Sequence, residues 1–260
     1  MLFVLSLAAG FFGILIWEKS WIPERKPGSV RKTDFRKKGQ ADMYQTVLFD
    51  LDGTLTDPGI GITNSVAYAL NKSGIEPPDR RELYPFIGPP LQDSFERFYG
   101  FSKEDAKAAV GFYREYYREK GIYENRLYDG MDKLLAQLCD AGKTLLVATS
   151  KPQEFAVQIL DYFHIRQYFA FIAGSEMDGS RVNKDEVILY ALQEGNIADK
   201  SSAIMTGDRE YDIRGAAAAG LDSIGVLFGY GSREELETAG ASYLAGQPAD
   251  IGTIVCGSRE

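Results

Sequence analysis

Histidine is almost absent from this chain: 260 residues hold one, His164. A lone histidine cannot supply a two-histidine zinc site. It could enter a Ser–His–Asp or Cys–His pair. Its surroundings, Asp161-Tyr162-Phe163-His164-Ile165, read instead as the end of a half-buried helix, which favours a packed or surface residue. Cysteine is nearly as scarce. Cys139 and Cys256 stand far apart, against both a disulfide framework and a Cys-rich zinc site. An enzyme of this composition works mainly with carboxylates, hydroxyls and lysines. Positive charge is also short where it would matter. Residues 18–40 hold eight Lys/Arg against three acids, a net of +5, so residues 41–260 carry −13 of the chain total of −8. An acidic body disfavours sequence-independent binding to nucleic acid polymers. Small phosphorylated substrates stay open to it if a metal ion supplies the positive charge.

The first 42 residues read differently from the rest. Leu2–Trp17 is an apolar run broken only by Ser6, a little short of the roughly 20 residues that span a bilayer. No basic segment precedes it and no small-residue cleavage site follows, so it does not read as a secretory signal. As an anchor it would leave the body on the cytoplasmic side, because Lys and Arg follow it. The preferred reading is a start codon placed too early. The first strand begins directly after Met43, and Lys37-Lys38-Gly39 requires a purine-rich coding tract resembling a bacterial ribosome-binding site just upstream. The expectation is a cytoplasmic body beginning at Met43. Residues 18–42 form a basic linker, and the membrane is a partner only if residues 1–17 are translated. Oligomeric state has no signature in the sequence.

From Tyr44 onward strands and helices alternate. Thr46–Phe49 is a short apolar run ending in Asp50 and predicts a buried strand. Residues 58–128 contain helical stretches such as Glu104–Lys120 and no clear strand. Thereafter strands are predicted at 144–149, 169–173, 202–206 and 223–227, with helices at 131–141, 153–163, 184–194 and 211–219. This alternation implies a parallel, doubly wound sheet with helices on both faces. The block at 58–128 is an insertion after the first strand.

Ligands of such sheets bind outside the carboxyl ends of the strands. Four polar clusters fall there: Asp50-Leu51-Asp52-Gly53-Thr54-Leu55-Thr56, Thr149-Ser150-Lys151, Lys184, and Gly207-Asp208-Arg209-Glu210-Tyr211-Asp212. Several carboxylates meeting in one crevice repel one another, and a divalent cation removes the repulsion. Oxygen-only donors, few of them from the protein, suit Mg²⁺.

These motifs and their order resemble the haloacid dehalogenase-like (HAD) hydrolase superfamily, over residues 44–255. Within it they are similar to the phosphoglycolate phosphatase-like group, whose cap loop Phe86-Ile87-Gly88-Pro89-Pro90-Leu91-Gln92-Asp93-Ser94-Phe95 resembles. The resemblance implies an α/β fold, a doubly wound parallel sheet with a Rossmann-type core at 43–57 and 129–260 and an α-helical cap at 58–128. It implies a Mg²⁺-dependent phosphomonoester hydrolase working through an aspartyl-phosphate on small phosphorylated metabolites. Asp50 would be the nucleophile and Asp52 the general acid, then base. Ser150 would donate to the phosphoryl oxygens and Lys184 neutralise their charge. Asp50, Asp208 and the backbone carbonyl of Asp52 would hold Mg²⁺, with Asp212 positioning the metal or its waters. Thr54 and the Gly53 and Leu51 amides would contact the phosphoryl group. Thr149, Gly207 and Arg209 would line the site, and Ile87 and Gly88 would face substrate from the cap.

Asp52 separates this reading from dehalogenases and phosphonoacetaldehyde hydrolases, which lack the second aspartate. A β-phosphoglucomutase would keep both. No convincing cap pair for a sugar bisphosphate stands out, although Arg80, Arg81 and Arg97 are present. A 5′-nucleotidase or a sugar-phosphate phosphatase fits the same motifs. A retired, non-catalytic binding protein would be expected to have lost one of Asp50, Asp52, Ser150, Lys184 or Asp208.

Overall fold

The structure is a computed structural model that describes residues 44–257. The apolar run at 2–17 and the basic linker lie outside the described residues. Among the described residues, no helix is long and apolar enough to cross a membrane.

The described residues form eight strands: β1 (Thr46–Phe49), β2 (Thr56–Asp57), β3 (Arg126–Leu127), β4 (Thr144–Pro152), β5 (Phe171–Ser175), β6 (Ala203–Gly207), β7 (Asp222–Val226) and β8 (Tyr243–Ala245). Six of them make one sheet in the order β5-β4-β1-β6-β7-β8, every neighbouring pair parallel. Residues of β1 alternate between two apolar clusters. Val47 and Phe49 pack in one with Leu134, Phe155 and Ile159, while Leu48 packs in the other with Leu146, Val187 and Met205. This two-sided burial is what a continuous apolar run on a central parallel strand requires. The chain leaves β1 for β4 on one side and reaches β6 on the other, so a crevice opens at the carboxyl end of β1.

Helices α1 (Gly59–Lys72), α2 (Leu91–Tyr99) and α3 (Lys103–Tyr116) make up the helical insertion between β2 and β3. The remaining helices, α4 (Met131–Asp140), α5 (Gln153–Tyr162), α6 (Lys184–Glu194), α7 (Glu210–Ala219), α8 (Arg233–Ala239) and α9 (Pro248–Cys256), belong to the sheet domain.

Four elements depart from the sequence expectation by two residues or more. The 58–128 block does contain strand: β3 pairs antiparallel with β2, Asp57 opposite Arg126. Two-residue strands carry no readable period. Glu104–Lys120 is not one helix, because α3 ends at Tyr116 and a π-helical turn spans Tyr117–Gly121. β5 starts two residues late, since Arg166–Tyr168 close a 3₁₀ turn first. β4 runs on to Pro152 with a register shift between Ala148 and Pro152, so Thr149, Ser150 and Lys151 lie in a bulge that re-aims their side chains.

Candidate active site

Asp50 follows β1 directly, and the chain then turns back. Gly53 makes that turn with φ +82°, and its amide donates to the Thr56 carbonyl at 2.8 Å. Asp208 follows β6, and Asp212 sits in the first turn of α7. Carboxylate oxygens of Asp50, Asp208 and Asp212 all lie within 4.8 Å of one another, and all three residues are buried. Two glycines make room for them. A Cβ on Gly53 would stand 2.2 Å from Asp208 Oδ2, and one on Gly207 2.1 Å from Asp212 Cγ.

Each carboxylate is aimed by a partner. Asp212 Oδ2 accepts from the Arg209 amide at 3.0 Å, capping α7. Asp208 Oδ2 accepts from the Tyr230 amide at 2.8 Å. Lys184, at the first position of α6, places Nζ 2.9 Å from Asp50 Oδ1 and 2.8 Å from Asp212 Oδ1, and donates to the Ala148 carbonyl at 3.3 Å. Asp208 Oδ1 is buried and faces no donor among the described residues.

Burial, and then the Asp212 and Asp50 carboxylates, push the Asp208 carboxyl well above the usual range. Burial pushes Asp212 up to about 6 despite the ammonium of Lys184. For Lys184, burial works against the charged form, but Asp212 and Asp50 outweigh it and hold the ammonium above its ordinary value. One buried ammonium among three buried carboxylates leaves excess negative charge, and an orphaned Asp208 oxygen with no donor fits a divalent cation.

Asp52 stands apart from this cluster. Its Oδ2 lies 2.7 Å from Lys151 Nζ, while Oδ1 is buried without a partner among the described residues. Burial raises its carboxyl, and Lys151 offsets part of that rise. Lys151 Nζ also donates to the Tyr117 hydroxyl at 2.8 Å. The sequence placed Lys151 at a strand end but gave it no role, and it singled out no role for Tyr117. The bulge in β4 and the π-helical turn, which bring the two together, leave no trace in hydrophobic periodicity.

The remaining expected residues fall as follows. The Ser150 hydroxyl donates to the Val182 carbonyl at 2.9 Å. The neighbouring Thr149 hydroxyl is buried and accepts from the Lys151 amide at 3.3 Å. Thr54 Oγ1 is buried with no partner among the described residues. Arg209 bridges the two parts of the fold. Its Nε meets Glu235 Oε1 at 2.9 Å and its Nη1 donates to the Ile87 carbonyl at 2.6 Å. Gly88, with φ +108°, lies against the same side chain. Arg114 of α3 makes a second link, donating to the Met177 carbonyl at 3.0 Å. Between the insertion and the sheet lies a cavity of about 640 Å³ whose lining includes Asp52, Ser150, Lys151, Phe86, Arg114 and Phe155.

The family model described as haloacid dehalogenase-like hydrolase matches residues 47–226. The chain is 48% identical over 193 residues to a 5′-nucleotidase of Pseudomonas aeruginosa, covering 74% of this chain and 87% of the relative. It is 40% identical over 202 residues to the tyrosine-protein kinase PtkA of Mycobacterium tuberculosis, covering 78% of this chain and 68% of the relative. Among solved structures, a predicted phosphatase from Clostridium acetobutylicum superposes with a TM-score of 0.80 at 48% identity, over 82% of this chain and 98% of the other.

Proposed function

The chain belongs to the haloacid dehalogenase-like hydrolases and is a phosphatase, and we propose that it is a Mg²⁺-dependent phosphomonoester hydrolase with Asp50 as nucleophile. The observation that carries the reading is the buried Asp50–Asp208–Asp212 cluster with its unpartnered Asp208 oxygen. Asp50, Asp208 and Asp212 would hold the ion, and a bound Mg²⁺ supplies positive charge against the phosphoryl oxygens. The Asp52 carbonyl, implied as a further ligand by the resemblance, belongs to the same proposal.

Asp50 attacks phosphorus in line and forms the aspartyl-phosphate as the bond to the leaving oxygen breaks. Asp52 gives its proton to that oxygen. The Asp52 carboxylate then takes a proton from water, whose oxygen attacks phosphorus, releasing phosphate and restoring Asp50. Lys184 fixes Asp50 and faces the charge that builds up beside it. Of the two hydroxyls at the end of β4, Ser150 would have to leave Val182 to meet the phosphoryl group, whereas the proton of Thr149 is not committed to a carbonyl. Both are proposed donors, together with Thr54.

Nucleoside 5′-monophosphates are the proposed substrate class. A cavity of about 640 Å³ walled by Phe86, Tyr113 and Phe155, with Lys107 and Arg114, suits a base and ribose. The 48% identical relative named a 5′-nucleotidase supports the same class. Glycolate or a single sugar would occupy little of that space. The test is phosphate release from nucleoside 5′-monophosphates, phosphoglycolate, sugar phosphates and pyrophosphate, with Mg²⁺ and with EDTA. The expected result is Mg²⁺-dependent turnover that is fastest on the nucleotides. Preference for phosphoglycolate would overturn the substrate class, and turnover in EDTA would overturn the metal site. A parallel incubation with labelled ATP, expected to leave the protein's tyrosines unlabelled, separates this reading from the kinase activity named for the mycobacterial relative.

A further inference from the structure

A general acid has to present its proton to one particular atom, so which carboxyl oxygen is free matters. In Asp52 the two oxygens are unlike. Oδ2 meets the Lys151 ammonium at 2.7 Å, and Oδ1 is buried with no partner among the described residues. Lys151 is held in turn. Its side chain is 6% exposed, its Nζ donates to the Tyr117 hydroxyl at 2.8 Å, and it lies 4.5 Å from the centre of the Tyr117 ring. Tyr117 is itself fixed. It opens the π-helical turn after α3, is 1% exposed, stacks on Tyr113 at 5.3 Å and packs edge-on against Phe155 at 5.4 Å. Asp52, Lys151 and Tyr117 all line the same cavity.

We infer that Lys151 is a positioning residue for Asp52, and that Tyr117 of the helical insertion sets Lys151 in place. By occupying Oδ2, Lys151 leaves Oδ1 as the oxygen that carries the proton to the leaving group. Because Tyr117 comes from the insertion and Lys151 from the sheet domain, the arrangement is complete only when the two parts are in contact. The insertion therefore contributes to proton delivery as well as to enclosing substrate. The inference rests on the phosphatase reading above.

The test is kcat/KM across substituted phenyl phosphates, from p-nitrophenyl to p-methoxyphenyl. These substrates differ little in shape and strongly in how much the leaving oxygen needs a proton. Asp52→Ala sets the scale, with a loss of about 100-fold on p-methoxyphenyl phosphate and much less on p-nitrophenyl phosphate. Lys151→Met is expected to follow the same pattern, about tenfold against less than about twofold. Tyr117→Phe is expected to lose about fivefold on the poorer leaving group only. Tyr117→Phe keeps the ring and its stacking, so it carries the test if Lys151→Met does not fold. Losses of equal size across the series, or a raised KM with kcat unchanged, would overturn the inference by making these residues structural or substrate-binding. Wild-type protein that hydrolyses none of the series would overturn the phosphatase reading itself, a separate failure.

Discussion

Arg209 Nη1 donates to the Ile87 carbonyl across 2.6 Å while its Nε is held 2.9 Å from Glu235 Oε1. One guanidinium, planted beside the metal-ligand candidate Asp208, thus ties the sheet domain to the loop that faces the cavity. Its fork suits two acceptors at once, which a lysine cannot match. Arg209→Met is expected to cost about 2 kcal/mol in urea unfolding and to raise KM. Combining it with Glu235→Gln should give less than the sum of the two single losses, because both act on one network.

Gly207 leaves the space that Asp212 fills, since a Cβ there would stand 2.1 Å from Asp212 Cγ. Gly207→Ala must therefore displace a carboxylate from the cluster. The expected outcome is a folded protein whose thermal midpoint no longer rises with Mg²⁺ and whose phosphate release falls at least about tenfold. A differential scan with and without Mg²⁺ reads the binding part independently of turnover.

Three buried carboxylates around one ammonium destabilise the metal-free protein. Asp208→Asn removes one ionisable carboxyl from the cluster and keeps an oxygen that can accept from the Tyr230 amide. In EDTA the variant is expected to melt at or above the wild-type temperature. In Mg²⁺ the order should reverse, because only wild type gains binding energy, about 2.7 kcal/mol at a hundredfold excess over Kd. Scanning calorimetry under both conditions checks this.

Asp57 joins β2 to the loop after β7. It accepts from the Tyr230 hydroxyl, from the Gly59 amide at 3.1 Å, and from Arg126 at 2.9 and 2.8 Å. Burial pushes its carboxyl up, but the hydrogen bonds from Tyr230 and Arg126 outweigh burial and hold it below its ordinary value of 3.8. A carboxyl lowered in the folded state stabilises above its unfolded value, and that stability is lost as pH falls through the folded value. Asp57→Asn is therefore expected to be about 1 kcal/mol less stable than wild type at pH 7. The gap should close below pH 3.8, as read by urea unfolding at several pH values. Arg126→Ala should cost less than Tyr230→Phe, since the Arg126 side chain is 76% exposed and its ion pair is screened.

The sheet was legible because its strands are continuous apolar runs, and α6 begins and ends where its pattern does, at Lys184 and Glu194. Asp50, Asp208 and Asp212 were legible because strand ends converge in this topology, so their meeting follows from the order of β1 and β6 in the sheet. Lys151 and Tyr117 were not. Their contact depends on a bulge that turns Lys151 toward Asp52 and on a π-helical turn that aims Tyr117, both local departures from regular period. Tyr230 was missed for a similar reason. It reaches Asp208 and Asp57 from a loop, where only the flanking Gly229 and Gly231 hint at a close approach. The strand pair β2–β3 and the edge strand β8 are too short to show alternation.

Passage of the phosphoryl group through Asp50 is the step on which the proposed mechanism turns. It is tested most directly by acid-quenching the protein during turnover of a nucleoside 5′-monophosphate in Mg²⁺, reducing with borohydride and sequencing by mass spectrometry. An aspartyl-phosphate at Asp50 is expected to appear as homoserine at that position, absent without substrate and absent in Asp50→Asn. Sustained phosphate release with Asp50 unmodified at every quench time would contradict it.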